Sequence, residues 1–248
     1  MTQTQDAELA AQLAETAGRI LLALQSTPLL GPATLGKAGD AVANQFLMRA
    51  LGEQRPDDAI LSEEGGWEGA RLGKSRVWII DPLDGTREYG EGRCDWAVHV
   101  GLAVDGEATL GAVALPRLGV TLRSDAGIVA GPEAEERRPR VVVSRTRPAS
   151  QAVALADALG AELAEMGSAG AKAMAVVRGE ADFYLHSGGQ YEWDSCAPVA
   201  VALAHGLHCS RIDGSPLRYN QPDSYLPDLL VCRKQDAARL LGLLEAMA

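Results

Sequence analysis

The sequence is poor in aromatic residues, which make up only 4% of its 248 residues. Proteins that bind single-stranded nucleic acids without sequence preference stack successive bases on aromatic side chains, so this class is disfavoured. The formal net charge of −10 argues in the same direction, because phosphate backbones are bound by basic surfaces. A small anionic substrate is compatible with this charge only if metal cations reverse the local sign.

The sequence also lacks paired cysteine motifs. Its four cysteines are irregularly spaced and lie mostly among apolar residues: Cys94, Cys196, Cys209 and Cys232. With no Cys-x-x-Cys pair and no zinc-ligand spacing, we expect reduced thiols in a cytoplasmic protein. Residues 1–6 contain no basic region followed by an apolar run, which argues against a signal peptide, and no apolar run is long enough to span a bilayer.

Two common catalytic motifs are absent. Residues 167–170 read Gly-Ser-Ala-Gly, which is not the Gly-x-Ser-x-Gly nucleophile elbow, and no P-loop sequence occurs. Covalent serine catalysis and P-loop chemistry are therefore disfavoured. The four histidines are assigned to core or surface roles: His99, His186, His205 and His208.

The most informative stretch is residues 78–86, Trp-Ile-Ile-Asp-Pro-Leu-Asp-Gly-Thr. The apolar residues before Asp81 predict a buried strand that ends at Pro82, because proline cannot donate to a strand ladder. Asp81, Asp84 and Thr86 then place two carboxylates and a hydroxyl at the strand end, which is a donor set suited to Mg²⁺. Taken alone, the stretch is also consistent with an ordinary Asp-Gly turn.

Other acidic residues occupy comparable positions. Glu63 follows a short predicted strand, and Asp194 begins a predicted helix. Asp40 begins the helix predicted at residues 40–54, after a loop at 35–40, and could simply cap that helix. Converging carboxylates repel one another unless a cation lies among them, and oxygen donors favour Mg²⁺ or Mn²⁺ over zinc. The chemistry that remains is hydrolysis by a metal-activated water.

The order of predicted elements changes near the middle of the chain. In residues 1–135, two helices are followed by strands, including a hairpin at Asp105-Gly106, which predicts an α+β half that carries most metal ligands. In residues 136–248, strands and helices alternate, which predicts an α/β half that carries Asp194. The charged, proline-containing segment around residue 135 is the expected boundary.

Three motifs together resemble those of the inositol monophosphatase superfamily. Residues 78–86 are similar to its central signature, residues 62–64 (Ser-Glu-Glu) to its Gly-Glu-Glu motif, and residues 193–198 to its Trp-Asp signature. The motifs occur in the family's order, and the similarity spans essentially the whole chain. The resemblance implies a layered αβαβα sandwich and a lithium-sensitive phosphatase that uses two or three Mg²⁺ ions.

The resemblance also implies roles for individual residues. The metal ligands would be Glu63, Asp81, the carbonyl of Leu83, Asp84 and Asp194. Thr86 would bind the attacking water, assisted by Glu63 or Asp40. Lys37 stands where the family usually has threonine, three residues before Asp40, and this departure weakens the transfer of a metal-binding role to Asp40.

Within the superfamily, the chain most resembles the 3′(2′),5′-bisphosphate nucleotidases, through residues 167–172 and 192–194. The implied reaction removes the 3′-phosphate of 3′-phosphoadenosine 5′-phosphate, with the phosphosulfate relative as a second candidate substrate. Residues implied to bind substrate are Gly85, Thr86, Gly167, Ser168, Lys172 and Glu192. Free amides at residues 168–170 are expected to help hold a phosphate.

Alternatives stay open at this point. The same metal chemistry on inositol 1-phosphate or fructose 1,6-bisphosphate is the nearest one, because the motif residues recognise metal and phosphate and not the rest of the molecule. A catalytically inactive metal-binding regulator is the rival from another class, but no implied ligand is missing. The resemblance suggests a homodimer.

Overall fold

A computed structural model describes residues 3–65, 71–127 and 138–247. Within these ranges the helices are α1 Gln3–Gln25, α2 Pro32–Gln54, α3 Thr86–Gly90, α4 Ser150–Leu159, α5 Ala169–Val177, α6 Glu192–Ala204 and α7 Lys234–Met247. The strands are β1 Ala59–Ser62, β2 Arg76–Asp84, β3 Ala97–Val104, β4 Glu107–Leu115, β5 Val120–Arg123, β6 Arg140–Ser144, β7 Glu162–Met166, β8 Phe183–Tyr191, β9 Leu207–Ser210 and β10 Tyr225–Arg233. No helix in these ranges has the length and apolar character needed to cross a membrane. The predicted boundary near residue 135 lies outside the described residues.

The strands form two five-stranded sheets. The first has the order β1-β2-β3-β4-β5 and is antiparallel except for the parallel pair β1–β2. The second has the order β7-β6-β8-β10-β9. Strand β6 is parallel to β7 and β8, and strand β10 is antiparallel to β8 and β9. The predicted hairpin between β3 and β4 is confirmed. Asp105 and Gly106 have φ angles of 51° and 80°, as a type I′ turn requires.

Five layers of secondary structure are held together by three apolar clusters, of which the central one contacts both sheets. Helices α1 and α2 cover one face of the first sheet, where Leu21 packs in the same cluster as Trp78. Helices α5 and α6 lie between the two sheets in a cluster that contains Met174. Helices α4 and α7 cover the outer face of the second sheet through residues that include Leu155 and Leu240. The predicted αβαβα sandwich is therefore confirmed.

Two glycines allow α6 to lie directly on the first sheet. A Cβ atom added at Gly101 of β3 would lie 2.9 Å from the backbone nitrogen of Ala197. One added at Gly111 of β4 would lie 2.8 Å from the Cα of the same residue. Neither distance is compatible with a side chain. The close contact holds α6, and with it Asp194, in the layer between the sheets.

Helix α2 begins at Pro32, so the predicted loop at residues 35–40 and the predicted helix start at Asp40 are wrong. Proline suits the first helical turn, where no backbone N–H is needed. The glycines that suggested a loop permit close packing instead. A Cβ at Gly36 would lie 2.9 Å from Cγ2 of Thr86, and one at Gly39 would lie 2.8 Å from the ring of Tyr89.

Two predicted strand ends are also wrong. Strand β2 continues through Pro82 to Asp84, and its pairing with β3 is irregular between Asp81 and Asp84. Such an irregular step does not need the N–H that proline lacks. Gly188 and Gly189 predict that the strand ends in a loop over residues 188–192, but β8 continues to Tyr191 because β10 supplies pairing partners for Gln190 and Tyr191.

Candidate metal centre

The fold brings the predicted acidic residues together. Strands β1 and β2 are parallel neighbours with Ser62 opposite Ile80, so the residues that follow them emerge at the same edge of the sheet. Glu63 follows β1, and Asp81 and Asp84 lie at the end of β2. Asp194 joins them from the first turn of α6, and Asp40 joins them from the interior of α2. These five residues influence one another's ionisation.

Burial and mutual repulsion raise the pKa values of four of these carboxyls. Burial, followed by the charge of Glu63, raises the pKa of Asp81 well above its usual value. Burial, followed by the charge of Asp84, raises the pKa of Asp194 to about 7. Burial and two nearby glutamates raise the pKa of Asp40 to about 8. Partial desolvation raises the pKa of Glu63 as well, although this residue is exposed at the surface.

A hard divalent cation fits this arrangement. Among the described residues, the Oδ1 atom of Asp40 is buried and has no hydrogen-bond partner. Ligand atoms of Asp81, Asp84 and His99 all lie within 4.8 Å of one another, which is close enough to surround one ion. The donors are mainly carboxylate oxygens, which Mg²⁺ prefers, and a cation would remove the repulsion that raises the pKa values. This cluster can therefore hold a metal ion.

Asp84 is also anchored by the N-terminus of α5. Its carboxylate accepts hydrogen bonds from Oγ of Ser168, from the N–H of Ala169 at 3.1 Å and from the N–H of Gly170 at 2.6 Å. Burial alone would raise the pKa of Asp84, but His99 and these hydrogen bonds lower it to about 2. The N–H of Ser168 donates to the carbonyl of residue 95. The amides at residues 168–170, expected to be free for a phosphate, are therefore occupied.

His99 was assigned a core or surface role, and its contact with the acidic cluster was missed. It is fully buried, and its Nε2 lies 3.1 Å from Oδ2 of Asp84. Its Nδ1 donates to the carbonyl of Trp193 at 3.0 Å. Burial alone would lower the pKa of His99, but Asp84 raises it above its usual value. Its position depends on the register of β2 against β3, which sets His99 opposite Asp81 and for which the sequence carries no local signal.

The turn after Asp84 positions Thr86. Gly85 has a φ of 89°, a left-handed conformation that suits glycine, and α3 begins at the next residue. Oγ1 of Thr86 lies 3.1 Å from the carbonyl oxygen of Leu83 and 3.5 Å from Oδ2 of Asp40. The Leu83 carbonyl, the Thr86 hydroxyl and the Asp40 carboxyl therefore form a continuous group of oxygens beside the other carboxylates.

Two residues implied to bind substrate are buried and make bonds within the protein. Nζ of Lys172 donates to the carbonyls of Gly167 and Ser168 at 2.7 and 2.9 Å, and burial lowers its pKa. The carboxylate of Glu192 accepts from the amides of residues 220–221 at 2.6 and 2.7 Å. These bonds fix the turn before α5 and the start of α6. Contact of either residue with substrate stays a prediction.

Named proteins resemble this chain in sequence over most of its length. A protein of Mycobacterium leprae (strain TN) named 3′-phosphoadenosine 5′-phosphate phosphatase is 51% identical, in an alignment that covers 97% of this chain and 93% of that protein. The 3′(2′),5′-bisphosphate nucleotidase CysQ of Escherichia coli (strain K12) is 32% identical over 76% of this chain and 81% of its own. The similarity to bisphosphate nucleotidases predicted from the motifs is confirmed by these relatives.

Solved structures share the fold. The inositol monophosphatase from Anabaena (Nostoc) sp. PCC 7120 superposes with a TM-score of 0.80 at 22% identity, covering 99% of this chain and 97% of that one. CysQ from Bacteroides thetaiotaomicron superposes with a TM-score of 0.77 at 24% identity, covering 93% and 97%. The sequence model that describes the inositol monophosphatase family matches residues 3–246 of this chain. The chain therefore belongs to the inositol monophosphatase family.

Proposed function

We propose that this protein is a Mg²⁺-dependent phosphatase that hydrolyses the 3′-phosphate of 3′-phosphoadenosine 5′-phosphate. The products are adenosine 5′-phosphate and inorganic phosphate. The observation that carries the metal-dependent chemistry is the convergence of Asp81, Asp84 and Asp194 beside the unpartnered oxygen of Asp40. The choice of substrate is supported by the printed name of the M. leprae relative, which is 51% identical to this chain.

The proposed Mg²⁺ ligands are Glu63, Asp81, the carbonyl of Leu83, Asp84 and Asp194, serving two or three ions. When bound, the metal would polarise the phosphoryl group and activate a water molecule. The carboxylates compensate the charge of the cations. Because burial raises the pKa of Asp194 to about 7, metal binding there is coupled to the release of a proton near neutral pH.

Thr86 is proposed to orient the attacking water. Its hydroxyl donates to the Leu83 carbonyl at 3.1 Å and lies 3.5 Å from Oδ2 of Asp40, so its lone pairs can accept a hydrogen bond from water. Glu63 is exposed beside the cluster and is proposed as the acceptor of the water proton, with Asp40 as the alternative acceptor. Attack on phosphorus then breaks the bond to the 3′ oxygen, which takes up one proton and leaves as the 3′-hydroxyl, so the net reaction consumes one water.

The proposed substrate-binding residues are Gly85, Thr86, Gly167, Ser168, Lys172 and Glu192. Gly85 and Thr86 follow Asp84 directly, and Ser168 donates to it. Lys172 and Glu192 contribute through the loops that they hold in place. We further propose the phosphosulfate relative as a second substrate, and a cytoplasmic homodimer as the working form.

Phosphate release from three substrates tests the proposal. The purified protein is assayed with 3′-phosphoadenosine 5′-phosphate, inositol 1-phosphate and fructose 1,6-bisphosphate, in Mg²⁺, in EDTA, and in Mg²⁺ with Li⁺. We expect the highest kcat/KM with the nucleotide, no turnover in EDTA and inhibition by Li⁺. A higher kcat/KM with either of the other substrates would contradict the assigned substrate.

A pair of variants tests the metal centre in the same assay. Asp84→Asn removes one proposed ligand charge and is expected to abolish Mg²⁺-dependent turnover. Asp213→Asn is the matched control, because Asp213 is exposed and its Oδ1 accepts from the N–H of Ser215, which asparagine can also do. Retained turnover in Asp84→Asn would show that the site assignment is wrong.

A further inference from the structure

Three aromatic side chains cluster where β8 ends, α6 begins and β10 begins. We call Tyr191, Trp193 and Tyr225 the aromatic patch. The rings of Tyr191 and Trp193 stack with centroids 4.9 Å apart and an interplanar angle of 9°. Tyr225 meets Tyr191 edge to face, with centroids 5.8 Å apart. In a chain with only 4% aromatic residues, this grouping calls for an explanation.

The aromatic patch leaves ring surface open to solvent. Tyr191 is 41% exposed and Tyr225 is 42% exposed. Trp193 stacks on one face of the Tyr191 ring, and Tyr225 lies at an edge-to-face angle to it, so the exposed area belongs to the ring surface that these two neighbours leave uncovered. Grouped apolar surface of this kind marks a binding site more often than isolated exposed residues do.

The backbone holds the aromatic patch in position. Tyr191 and Tyr225 pair directly across β8 and β10, and the Tyr225 hydroxyl accepts from the N–H of Gly189 at 3.2 Å. Rings that are ordered beforehand lose little conformational entropy when a ligand stacks on them. There is also room beside them. Within the described parts of the chain, no atom lies within 4 Å of a Cβ added at Gly188 or Gly189.

The aromatic patch adjoins the metal centre through two hydrogen bonds. The N–H of Tyr191 donates to Oδ2 of Asp194 at 2.7 Å. The carbonyl of Trp193 accepts from Nδ1 of His99, whose Nε2 faces Asp84. The start of α6 therefore carries both a proposed metal ligand and the aromatic patch, which places the two in one region of the molecule.

We propose that the aromatic patch is the base-binding surface of the enzyme, with the purine of the substrate stacked on the exposed ring surface of Tyr191. The inference rests on the proposed function. An aromatic ring face matches a neutral, planar base without regard to its hydrogen-bonding groups. The carboxylates nearby do not repel a neutral ring as they would a further anion. The patch would thus select nucleotides over inositol and sugar phosphates at a shared metal centre.

Paired substrates test this inference. The assay compares 3′-phosphoadenosine 5′-phosphate with ribose 3,5-bisphosphate, which has the same sugar and phosphates but no base. In Tyr191→Leu, we expect KM for the nucleotide to rise about 10-fold, because stacking on an aromatic ring is lost. KM for ribose 3,5-bisphosphate and kcat for both substrates are expected to stay unchanged. Tyr191→Phe, which keeps the ring, is expected to restore the preference that leucine removes.

Further variants separate stacking from folding and assembly. Tyr225→Leu is expected to shift the same KM ratio in the same direction, and thermal unfolding verifies that each variant is folded. Leu203→Ala, which trims an exposed leucine elsewhere on α6, is the matched control and is expected to leave the ratio unchanged. Calorimetry should show weaker binding of adenosine 5′-phosphate, but not of ribose 5-phosphate, to Tyr191→Leu.

Several outcomes would overturn the inference. One is a rise in KM in Tyr191→Leu that is equal for both substrates, and another is an unchanged KM for the nucleotide in both leucine variants. A third is a change of Tyr191→Leu from dimer to monomer in sedimentation, which would assign the patch to a subunit interface. These outcomes differ from failure of the proposed function. That function fails if the wild-type protein does not hydrolyse the nucleotide at all.

Discussion

Nε2 of His99 lies 3.1 Å from Oδ2 of Asp84, and both side chains are buried. The other ring nitrogen donates to the carbonyl of Trp193, so His99 ties β3 to the end of β2 and to the start of α6. Partners that orient a metal-binding carboxylate typically contribute 10- to 100-fold to metal affinity or activity. We therefore expect His99→Asn to lower kcat/KM by about 10- to 100-fold and to weaken Mg²⁺ activation.

The control for that prediction is a histidine remote from the cluster. His208→Asn changes a partly exposed residue of β9 whose Nε2 forms a hydrogen bond with Oγ of Ser210. Its Mg²⁺ activation curve should overlay that of the wild-type protein. Equal activity of the two variants would show that His99 does not support the metal centre.

The stability of the metal-free protein should fall as pH rises. The pKa of Asp40 is raised to about 8, and the pKa of Asp194 to about 7, mainly by burial. A raised pKa means that the folded protein holds these protons more tightly than the unfolded chain does. The resulting stability is present below the usual carboxyl pKa of about 4 and is lost as pH rises towards 8.

Thermal unfolding measures this effect directly. In EDTA, Tm should be lower at pH 8 than at pH 5, by about 2–4 °C for each kcal/mol lost. Because Mg²⁺ is proposed to bind the ionised carboxylates, the rise in Tm that it causes should be larger at pH 8. A metal-free Tm that increases over this range would contradict the burial of charged carboxyls in the cluster.

The close approach of α2 to the active centre depends on Gly36. A Cβ added there would lie 2.9 Å from both Cγ2 and the carbonyl oxygen of Thr86. Gly36→Ala should therefore displace Thr86 from Asp40, lower kcat and destabilise the fold by about 1–3 kcal/mol. A shift of about 1 Å at a reacting group can reduce the rate about 100-fold.

The same helix offers a matched control. Gly52 also lies in α2, and among the described residues no atom comes within 4 Å of an added Cβ. Gly52→Ala should keep full activity and gain up to about 1 kcal/mol from helix propensity. If both alanine variants behave alike, close packing at Gly36 does not position Thr86 for its proposed role.

The hydroxyl of Thr86 should matter for the chemical step more than for binding. Thr86→Val replaces the hydroxyl with a methyl group of similar size and removes the proposed partner of the attacking water. We expect kcat to fall by about 100- to 10,000-fold, while Thr86→Ser retains most of the activity. Thr109→Val, in β4, is the control. Steady-state kinetics in saturating Mg²⁺ decide the point, and a normal kcat for the valine variant would remove Thr86 from the mechanism.

Much of the site could be predicted because its residues follow strand ends. The end of a buried strand can be read from local apolar residues, as for Asp81, and parallel pairing of β1 with β2 then brings Glu63 beside it. Residues that join the site through long-range packing could not be read in this way. His99 depends on the register of β2 against β3, which is set by contacts distant in sequence.

The wrong element boundaries have a common physical cause. Gly36 and Gly39 suggested a loop, yet they lie inside a helix where a larger residue would strike Thr86 or Tyr89. A sequence does not distinguish a glycine required for a turn from one required for close contact. The aromatic patch around Tyr191 could not be predicted from the sequence for a similar reason, because its rings come from three elements that only the fold brings together.

The measurement that tests the central claim most directly is thermal unfolding and turnover of Asp81→Asn, with and without Mg²⁺. Asparagine keeps the acceptor that bonds to the N–H of Leu83 at 3.0 Å but removes a buried charge repelled by its neighbours. We predict a metal-free Tm above that of the wild-type protein at pH 8, loss of the Mg²⁺-induced rise in Tm, and loss of turnover. A lower metal-free Tm together with normal Mg²⁺-dependent hydrolysis would contradict the assignment of this cluster as the metal centre.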